Sequence, residues 1–359
     1  MTASRGRYAG GSALILVLWI IGMLSLIVVS FAFDAHLEGK VVSFSRKRLK
    51  AEALANSGLE LAKSFLDHSR EVKGTESDDE KEKDARYNEA NDLRLGKSVT
   101  LSREFATTSG EYAGSVRVDI EPEESLRNLN KLTEEDWERL LSLVGVPEDY
   151  WPELIDSYFD WIDNDEIPRE NGAETEDYYA ALEKPYSAAN GSFDTVRELL
   201  LVRGFSEPIL TGGVLNPEDP PESQIVVSNG IARLLTTYGE GKVNINAVRG
   251  DDLGLAVLQT LPGVTEIEAN AIIEEREEGA ATTSGDTEQT AYESVQDART
   301  RLADVVEDNA FFDNITTSSE IFRITSIGRY DRVTKTIRAI VYANGDVWRV
   351  LRWREEEEH

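Results

Sequence analysis

Ser12-Ala-Leu-Ile-Leu-Val-Leu-Trp-Ile-Ile-Gly-Met-Leu-Ser-Leu-Ile-Val-Val-Ser-Phe-Ala-Phe33 sets the architecture of this chain, because it is 22 residues long and carries no charged side chain. An α-helix rises about 1.5 Å per residue, so a run of this length covers about 30 Å, the thickness of the hydrocarbon core of a bilayer. We therefore predict that residues 12–33 form a membrane-spanning helix. The rest of the sequence is polar in character, which indicates a single-pass protein with a soluble body.

The residues around this run distinguish three kinds of N-terminal segment. A cleaved secretory signal peptide has a shorter apolar core and a small-residue cleavage site after it, which Asp34-Ala-His-Leu-Glu38 does not provide. A plain signal anchor fits the length but leaves Gly10-Gly11 unexplained. A prepilin-type signal is cut before the apolar run, at a small residue that follows basic residues on the cytoplasmic side. We favour this third interpretation, with residues 1–11 as the leader and cleavage between Gly11 and Ser12.

The same helix is predicted to continue beyond the membrane. Residues 41–65 contain no proline, and their apolar side chains recur at near-helical spacing among strong helix formers. We therefore predict that residues 34–70 extend the membrane helix into one long spine, half in lipid and half amphipathic. A membrane anchor followed by a separate juxtamembrane helix is the alternative.

The composition excludes several classes of function. The sequence has 359 residues, 67 of them acidic and 38 basic, with a formal net charge of −29. Nucleic-acid affinity comes largely from Lys and Arg that neutralise phosphates, so this balance argues against a nucleic-acid partner. The absence of Cys excludes disulfides, zinc–thiolate sites and thiol catalysis. With three His and no G-x-S-x-G or P-loop pattern, we predict no catalytic residue.

Two separate parts of the chain, residues 71–124 and 311–359, have the alternating apolar pattern of β-strands. In the first part the alternation around Gly110 is typical of a half-buried β-hairpin. In the second part three such runs are separated by turn residues, including Asn344-Gly345, a strong short hairpin signal. We predict that both parts join in one small antiparallel sheet packed on the spine, which makes the fold α+β.

Residues 125–310, between the two β-regions, are predicted to form a large inserted α-helical domain. Asn128-Leu-Asn and Asn244-Ile-Asn are each followed by a helical pattern, an apolar-x-Gly-Val turn and a second helical pattern. Gly145 and Gly263 are therefore predicted to form the tight turns of two helix–hairpin–helix-like repeats. Such hairpins bind DNA phosphates in DNA-repair proteins, but the acidic flanks here favour a role in protein packing.

An acidic loop within the predicted insert is a candidate cation site. Eight carboxylates lie from Asp160 to Asp177, where a helical pattern ends and a loop with Pro and Gly begins. Calcium takes about six to eight oxygen ligands, which a flexible acidic loop can supply. The residue spacing of an EF-hand is absent, and a solvated acidic loop is the alternative. The residues alone leave both interpretations open.

Taken together, several segments resemble the K-type minor pseudopilins of bacterial type II secretion systems, the general secretion pathway protein K family. They are Gly11-Ser-Ala-Leu-Ile-Leu-Val-Leu-Trp19, Ala51-Glu-Ala-Leu-Ala-Asn-Ser-Gly58, Leu154-Ile-Asp-Ser-Tyr-Phe-Asp-Trp-Ile-Asp163, Gly172-Ala-Glu-Thr-Glu-Asp-Tyr-Tyr179, Pro185-Tyr-Ser-Ala-Ala-Asn190, Glu198-Leu-Leu-Leu-Val-Arg-Gly204 and Val243-Asn-Ile-Asn-Ala247. The resemblance covers nearly the whole chain. It implies a pilin-like fold, in which a long N-terminal helix packs on a small sheet and a helical domain is inserted.

The resemblance also implies particular site residues. Most pilins and pseudopilins carry Glu at the fifth residue of the mature chain, where it pairs with the N-terminus of a neighbouring subunit. Counting from Ser12, this chain has Leu16 there. K-type members share this departure, which implies a place at the filament tip. Family members bind calcium in the acidic loop of the insert, which implies Asp163, Asp165, Glu174 and Asp177 as ligands.

The implied function is structural. The protein is expected to cap and help initiate a periplasmic pseudopilus, with the I-type and J-type minor pseudopilins and the major pseudopilin as partners. It is also expected to be cut by prepilin peptidase, to contact membrane lipid, and to span a bacterial inner membrane with its N-terminus in the cytoplasm and its body in the periplasm. Three alternatives remain: a membrane-anchored glycosidase using a carboxylate pair within residues 160–177, a competence-type DNA receptor, and a minor pilin of a type IV pilus.

Overall fold

The computed structural model describes residues 10–71, 92–93, 96–106, 112–278, 291–344 and 347–357. Most of the predicted leader, the acidic stretch 76–89 and the predicted turn residues Gly110 and Gly345 lie outside these ranges. The helices are α1 (Gly10–Glu71), α2 (Glu134–Val144), α3 (Trp151–Ile162), α4 (Glu207–Thr211), α5 (Asp252–Gln259), α6 (Glu266–Glu278), α7 (Val295–Arg301) and α8 (Asn309–Asp313). The strands are β1 (Val99–Ala106), β2 (Tyr112–Pro122), β3 (Arg127–Asn128), β4 (Gly213–Val214), β5 (Val226–Val227), β6 (Leu235–Thr236), β7 (Val243–Asn244), β8 (Ile315–Thr316), β9 (Ile321–Tyr330), β10 (Val333–Asn344) and β11 (Val347–Glu357).

Helix α1 is a single uninterrupted helix of 62 residues, about 90 Å long. The alternative of a separate juxtamembrane helix is therefore wrong, and both ends of the helix lie within two residues of the predicted bounds 12 and 70. Between Leu14 and Phe33 its apolar side chains are exposed, and by length and composition this helix is able to cross a membrane. Buried side chains begin at Ala51, so its C-terminal third is the part that packs on the rest of the molecule.

The main sheet has five antiparallel strands in the order β1-β2-β9-β10-β11. Strands from the two ends of the chain meet where β2 pairs with β9, and Val118 lies opposite Ser326. One face of the sheet is apolar and buried, with Ile324 and Val341 fully covered. Helix α1 packs on this face, mainly across β2, β9 and β10. The predicted α+β arrangement of a long helix on an antiparallel sheet is confirmed.

Helix α1 approaches the sheet closely because each side of the interface carries a glycine that faces the other element. A Cβ atom on Gly58 would lie 2.0 Å from Ser326 Oγ. A Cβ atom on Gly328 would lie 2.2 Å from the Ala51 carbonyl oxygen and 2.3 Å from the Ala55 backbone nitrogen. The Ser326 hydroxyl donates to the Ala55 carbonyl oxygen at 2.7 Å, so backbone and side chain are in direct contact here.

We expect Gly328→Ala to lower the free energy of unfolding by about 3 kcal/mol, because the new methyl group meets fixed backbone atoms of α1 and the helix must shift. The measurement is thermal unfolding of the full chain in mild detergent, followed by circular dichroism. Gly191→Ala is the matched control, since a Cβ atom there makes only an ordinary contact with Ala189 O at 3.6 Å. Equal melting temperatures for the two variants would contradict this account of the interface.

The helical part between β2 and β9 has its own hydrophobic core. The buried apolar side chains from Leu129 to Ile315 form one cluster, centred on Trp137, Tyr158 and Phe311. A second cluster joins α1 to the five-stranded sheet. Phe311, Phe312 and Ile315 belong to the first cluster, although the predicted boundary of the insert is at residue 310.

The internal repeat is more extensive in three dimensions than in the sequence pattern. Asn130 donates its side-chain amide to the Phe193 carbonyl at 3.0 Å and accepts the Phe193 backbone N–H at 2.7 Å. Asn246 makes the same pair of hydrogen bonds with Tyr292, both at 2.9 Å. The strand before each Asn is also matched, since β3 pairs in parallel with β6 and β7 with β8. The insert therefore contains two copies of one supersecondary unit.

Two consecutive glutamates join the insert to the sheet at the end of β2. The Glu123 carboxylate accepts from the Thr236 hydroxyl and forms an ion pair with Arg323, both at 2.7 Å. The Glu124 carboxylate accepts the backbone N–H groups of residues 320 and 321, where β9 begins. Burial raises the pKa of Glu124. These contacts fix the first repeat unit to the strand by which the chain returns to the sheet.

Candidate functional site

The acidic loop is positioned by α3. The buried face of this helix includes Tyr158 and Trp161, which pack into the core of the insert. The helix ends at Ile162, and the extended backbone at Asp163 starts the loop. Asp160, in the last turn of α3, is fully buried and accepts the Arg169 backbone N–H at 3.2 Å on both carboxylate oxygens. The loop is therefore folded back over the end of α3.

Three of the four predicted ligands come together in this loop. Asp163, Asp165 and Glu174 each offer one carboxylate oxygen, and these oxygens lie within 4.8 Å of one another. Asp163 accepts the Asp165 backbone N–H at 3.3 Å, and Asp165 accepts the Ile167 backbone N–H at 2.9 Å. These local turns hold both aspartates on one side of the loop, opposite Glu174.

Asp177, the fourth predicted ligand, lies outside this set. Its carboxylate accepts the Glu174 backbone N–H at 2.8 Å and so fixes the turn that carries Glu174. Glu166 also lies outside the set, and its carboxylate accepts the side-chain amide of Asn190 at 3.0 Å.

Glu174 is the most unusual residue of the loop. Its side chain is only 1% exposed, and neither carboxylate oxygen has a hydrogen-bond partner in the described structure. Burial, reinforced by the charges of Asp160, Glu166 and Asp163, raises the pKa of Glu174 to about 7. A buried ionised carboxylate without a partner is costly, and either protonation or a nearby cation would remove that cost.

The geometry of the three carboxylates fits a hard divalent cation. Calcium lies about 2.3–2.6 Å from its oxygen ligands, so two ligands on opposite sides of one ion are about 5 Å apart. The 4.8 Å limit on the spacing of the three oxygens is compatible with one shared ion. Asp165 is exposed and Asp163 half-buried, which leaves one side of the site open to solvent for further oxygen ligands.

The two hairpin glycines lie where the repeats predict them, between α2 and α3 and between α5 and α6. Gly145 has φ of +83° and Gly263 has φ of +70°, a left-handed conformation that glycine adopts at little cost. At the first turn the backbone N–H groups of Gly145 and Val146 donate to carbonyls of α2. A Cβ atom on Gly263 would lie 2.5 Å from Asp308 Cβ, so the second turn packs against the protein.

The remaining predicted site residues lie on α1. Gly11 and Ser12 belong to the described helical backbone, which begins at Gly10. Leu16 is 61% exposed on the surface of the apolar segment. Of the carboxylates in the glycosidase alternative, Asp160 and Glu174 are both buried away from solvent.

Sequence analysis missed two features of this region. Asp160 was one of many acidic residues, and its function as the anchor of the loop depends on its burial. Gly172 passes so close to Asp160 that a Cβ atom on Gly172 would lie 1.8 Å from the Oδ2 atom of Asp160.

The residues that pair with the repeated asparagines, Phe193 and Tyr292, were also missed. Their shared pattern of an aromatic residue, an acid, a hydroxyl residue and valine was the available signal.

Residues 122–212 match the family model for type II secretion system protein K. This part of the chain is therefore similar to protein K of type II secretion systems. A relative from Pseudomonas aeruginosa, type II secretion system protein K, is 39% identical over 101 residues. That match covers 25% of this chain and spans 30% of the relative's length. The family-model match includes the first repeat unit and the acidic loop.

A solved structure shares the fold over most of the molecule. It is a chain in the crystal structure of the GspK–GspI–GspJ complex from the type 2 secretion system of enterotoxigenic Escherichia coli. The TM-score is 0.57 at 17% sequence identity, and the match covers 88% of this chain and 99% of the other. The likeness therefore extends from residues 122–212 to the fold of most of the chain.

Proposed function

We propose that this chain is a minor pseudopilin of a type II protein secretion system, with a structural and non-catalytic role at the tip of a periplasmic pseudopilus. The observation that carries the proposal is the spine-and-sheet fold with its helical insert. The structural match on this fold covers 99% of a chain in the crystal structure of a GspK–GspI–GspJ complex. By analogy with that complex, the I-type and J-type minor pseudopilins are the proposed partners, beside the major pseudopilin.

The exposed apolar half of α1 supports a place within a helical bundle. In the membrane this segment contacts lipid, and after extraction it packs against the helices of sister subunits. Leu16 offers no carboxylate to the N-terminus of a subunit above it. The Leu16 side chain is consistent with a position at the tip of the pseudopilus, where no subunit lies above. We infer an N-terminus in the cytoplasm and a body in the periplasm of a bacterial inner membrane.

Processing by prepilin peptidase tests the N-terminal part of this proposal. When the chain is produced with its peptidase, N-terminal sequencing is expected to begin at Ser12. A Gly11→Leu variant is expected to keep Met1, because a bulky side chain replaces the small residue at the cut. Gly10→Ala is the matched control and should be processed normally. A wild-type protein that keeps Met1 in the presence of active peptidase would contradict the proposal.

Assembly with other pseudopilins tests the second part of the proposal, the identity of the partners. A tagged full chain in detergent is expected to co-purify with the I-type and J-type pseudopilins in equal amounts. Co-purification with type IV pilus subunits instead would support the pilus alternative. Binding to duplex DNA at low salt would support the DNA-receptor alternative, which the net charge of −29 opposes.

We also propose that Asp163, Asp165 and Glu174 bind one calcium ion. The unpaired, buried Glu174 carboxylate supports this proposal, together with the spacing of the three oxygens. When bound, the ion would neutralise the loop and hold it against the end of α3. Asp177 then acts on the site through the backbone of Glu174 and not as a ligand. The ion has a structural role, because no substrate is expected at this loop.

A further inference from the structure

The C-terminal strand β11 leaves one edge of the main sheet open. Its other edge is paired with β10 along the whole strand, from Val347 opposite Asn344 to Glu357 opposite Lys335. In the described part of the chain, the outer edge of β11 has no neighbouring strand. An open edge presents a row of backbone N–H and C=O groups that an extended segment of another chain can pair with.

The two faces of β11 differ in chemistry. Val350 and Trp353 lie opposite Val341 and Ala339, two buried residues on the face that α1 covers. Helix α1 packs mainly on β2, β9 and β10, and these two side chains remain 48% and 44% exposed. At Val350 and Trp353 the apolar face of the sheet is therefore only partly covered.

The opposite face of β11 is basic. Arg349, Arg352 and Arg354 lie opposite Tyr342, Ile340 and Arg338, on the face of the sheet that points away from α1. The segment 347–354 contains no acidic residue, in a chain whose net charge is −29. Arg354 lies 3.5 Å from Glu356, whereas Arg349 and Arg352 form no ion pair with any described residue. Two cations are therefore available along the open edge.

Protection against aggregation is the simpler explanation of charged side chains on an edge strand. The register shift between β10 and β11 leaves Leu351 as a β-bulge, and bulges also protect an edge strand against aggregation. A protected edge, however, does not need three exposed apolar residues. Val350, Leu351 and Trp353 are each at least 44% exposed. Apolar side chains on one face of β11 and arginines on the other favour pairing with a strand that is apolar on one face and acidic on the other.

We propose that β11 is a docking edge for a partner protein that adds an extended strand with alternating apolar and acidic side chains. Its apolar residues would lie beside Val350 and Trp353 and complete the cover of the sheet. Its carboxylates would lie beside Arg349 and Arg352. The inference rests on the sheet and its charges, and it is independent of the role proposed in secretion.

A peptide of about eight residues that alternates Val and Glu is the probe, and a peptide alternating Val and Lys is its charge-reversed control. We expect the full chain in detergent to bind the Val/Glu peptide, with a change in Trp fluorescence and slower hydrogen exchange confined to the amides of β11. The Val/Lys peptide is expected not to bind. Binding should weaken as salt increases, because the charged face is exposed.

The double variant Arg349→Glu with Arg352→Glu is expected to bind the Val/Glu peptide about tenfold more weakly or worse and to gain binding of the Val/Lys peptide. Both side chains are exposed, so an unchanged melting temperature is the control for folding. The proposal is overturned if neither peptide slows exchange in β11, or if charge reversal leaves the affinities unchanged. Protection of β11 by concentration-dependent dimerisation of this chain would also overturn it, since the occupant would then be a second copy.

Discussion

Calcium is expected to raise the melting temperature of the full chain in mild detergent by about 5 °C or more, at a concentration 100-fold above the dissociation constant. The reason is that the ion binds the folded loop and removes the cost of the buried Glu174 charge. The measurement is differential scanning fluorimetry at pH 8 with EDTA or with millimolar calcium. No shift at millimolar calcium would reject the cation site.

Glu174→Gln separates calcium binding from general effects of charge. The amide has the same shape but no charge, so the variant is expected to lose the calcium response. In EDTA at pH 8 it should also melt at a higher temperature than the wild type, since it buries no ionised carboxylate. Glu176→Gln is the matched control, because Glu176 is exposed in the same loop and outside the carboxylate set. This control should keep the full response.

The pH dependence follows from the raised pKa of Glu174. The pKa of about 7 in the folded protein lies above the ordinary value of 4.5, so the folded state holds the proton more tightly than the unfolded state. The stabilisation by this proton is complete below the ordinary pKa and is lost as the pH rises through about 7. The loss amounts to about 3 kcal/mol. In EDTA the wild type and Glu174→Gln should therefore converge in stability at pH 5 and separate at pH 8. Parallel curves would contradict the assignment.

The spine and the sheet were predictable from the sequence because their signals are local. A run without charge predicts a membrane helix, and alternation with a turn between predicts a strand pair. The strands from Val99 to Pro122 and from Ile321 to Glu357 agree with this pattern to within a few residues. The predicted bounds of the spine, residues 12–70, agree with α1 to within two residues at each end.

The interior of the insert was predictable only in part. The two glycine turns have a local signature, whereas the pairing of Asn130 with Phe193 spans 63 residues and that of Asn246 with Tyr292 spans 46. These unequal separations hide the repeat from a search at a fixed period. In the acidic loop, composition left a cation site and a solvated loop both open, and the resemblance implied four ligands. Which carboxylates lie close together depends on the turn between Glu174 and Asp177 and on the burial of Asp160.

Asp136→Asn is expected to lower the free energy of unfolding by about 3–5 kcal/mol, the largest effect expected of a single substitution in the insert. Asp136 is 5% exposed and Arg127 2% exposed, and their side chains meet at 2.7 Å. Arg139 reaches the same carboxylate oxygen at 2.8 Å. Loss of the negative charge leaves a buried guanidinium without a counter-ion. The measurement is urea denaturation of the full chain in detergent, followed by Trp fluorescence.

The exposed residue next to Asp136 provides the control. Glu135→Gln removes the same charge from the first turn of α2 and is expected to change stability by less than about 1 kcal/mol. The double variant with Arg127→Met and Asp136→Asn should lose less stability than the sum of the two single variants, because no buried cation then lacks its partner. Additive losses would show that the ion pair does not couple these residues.

The substitution should also test how the two repeat units are joined. Arg127 and Arg139 both donate to the carbonyl oxygen of Thr260 at the end of α5, at 3.3 and 3.2 Å. Asp136 holds both arginines in place, so its charge in the first unit fixes the contact with the second.

The pKa of Asp136 lies below its ordinary value. Burial alone would raise this pKa, but the charge of Arg127 and the hydrogen bonds from Thr133 outweigh burial. Its contribution is therefore present above about pH 4 and is lost as the pH falls through its folded pKa. Hydrogen exchange of Asp136→Asn at pH 7 should consequently show faster opening in both units, whereas a local effect confined to α2 would contradict this coupling.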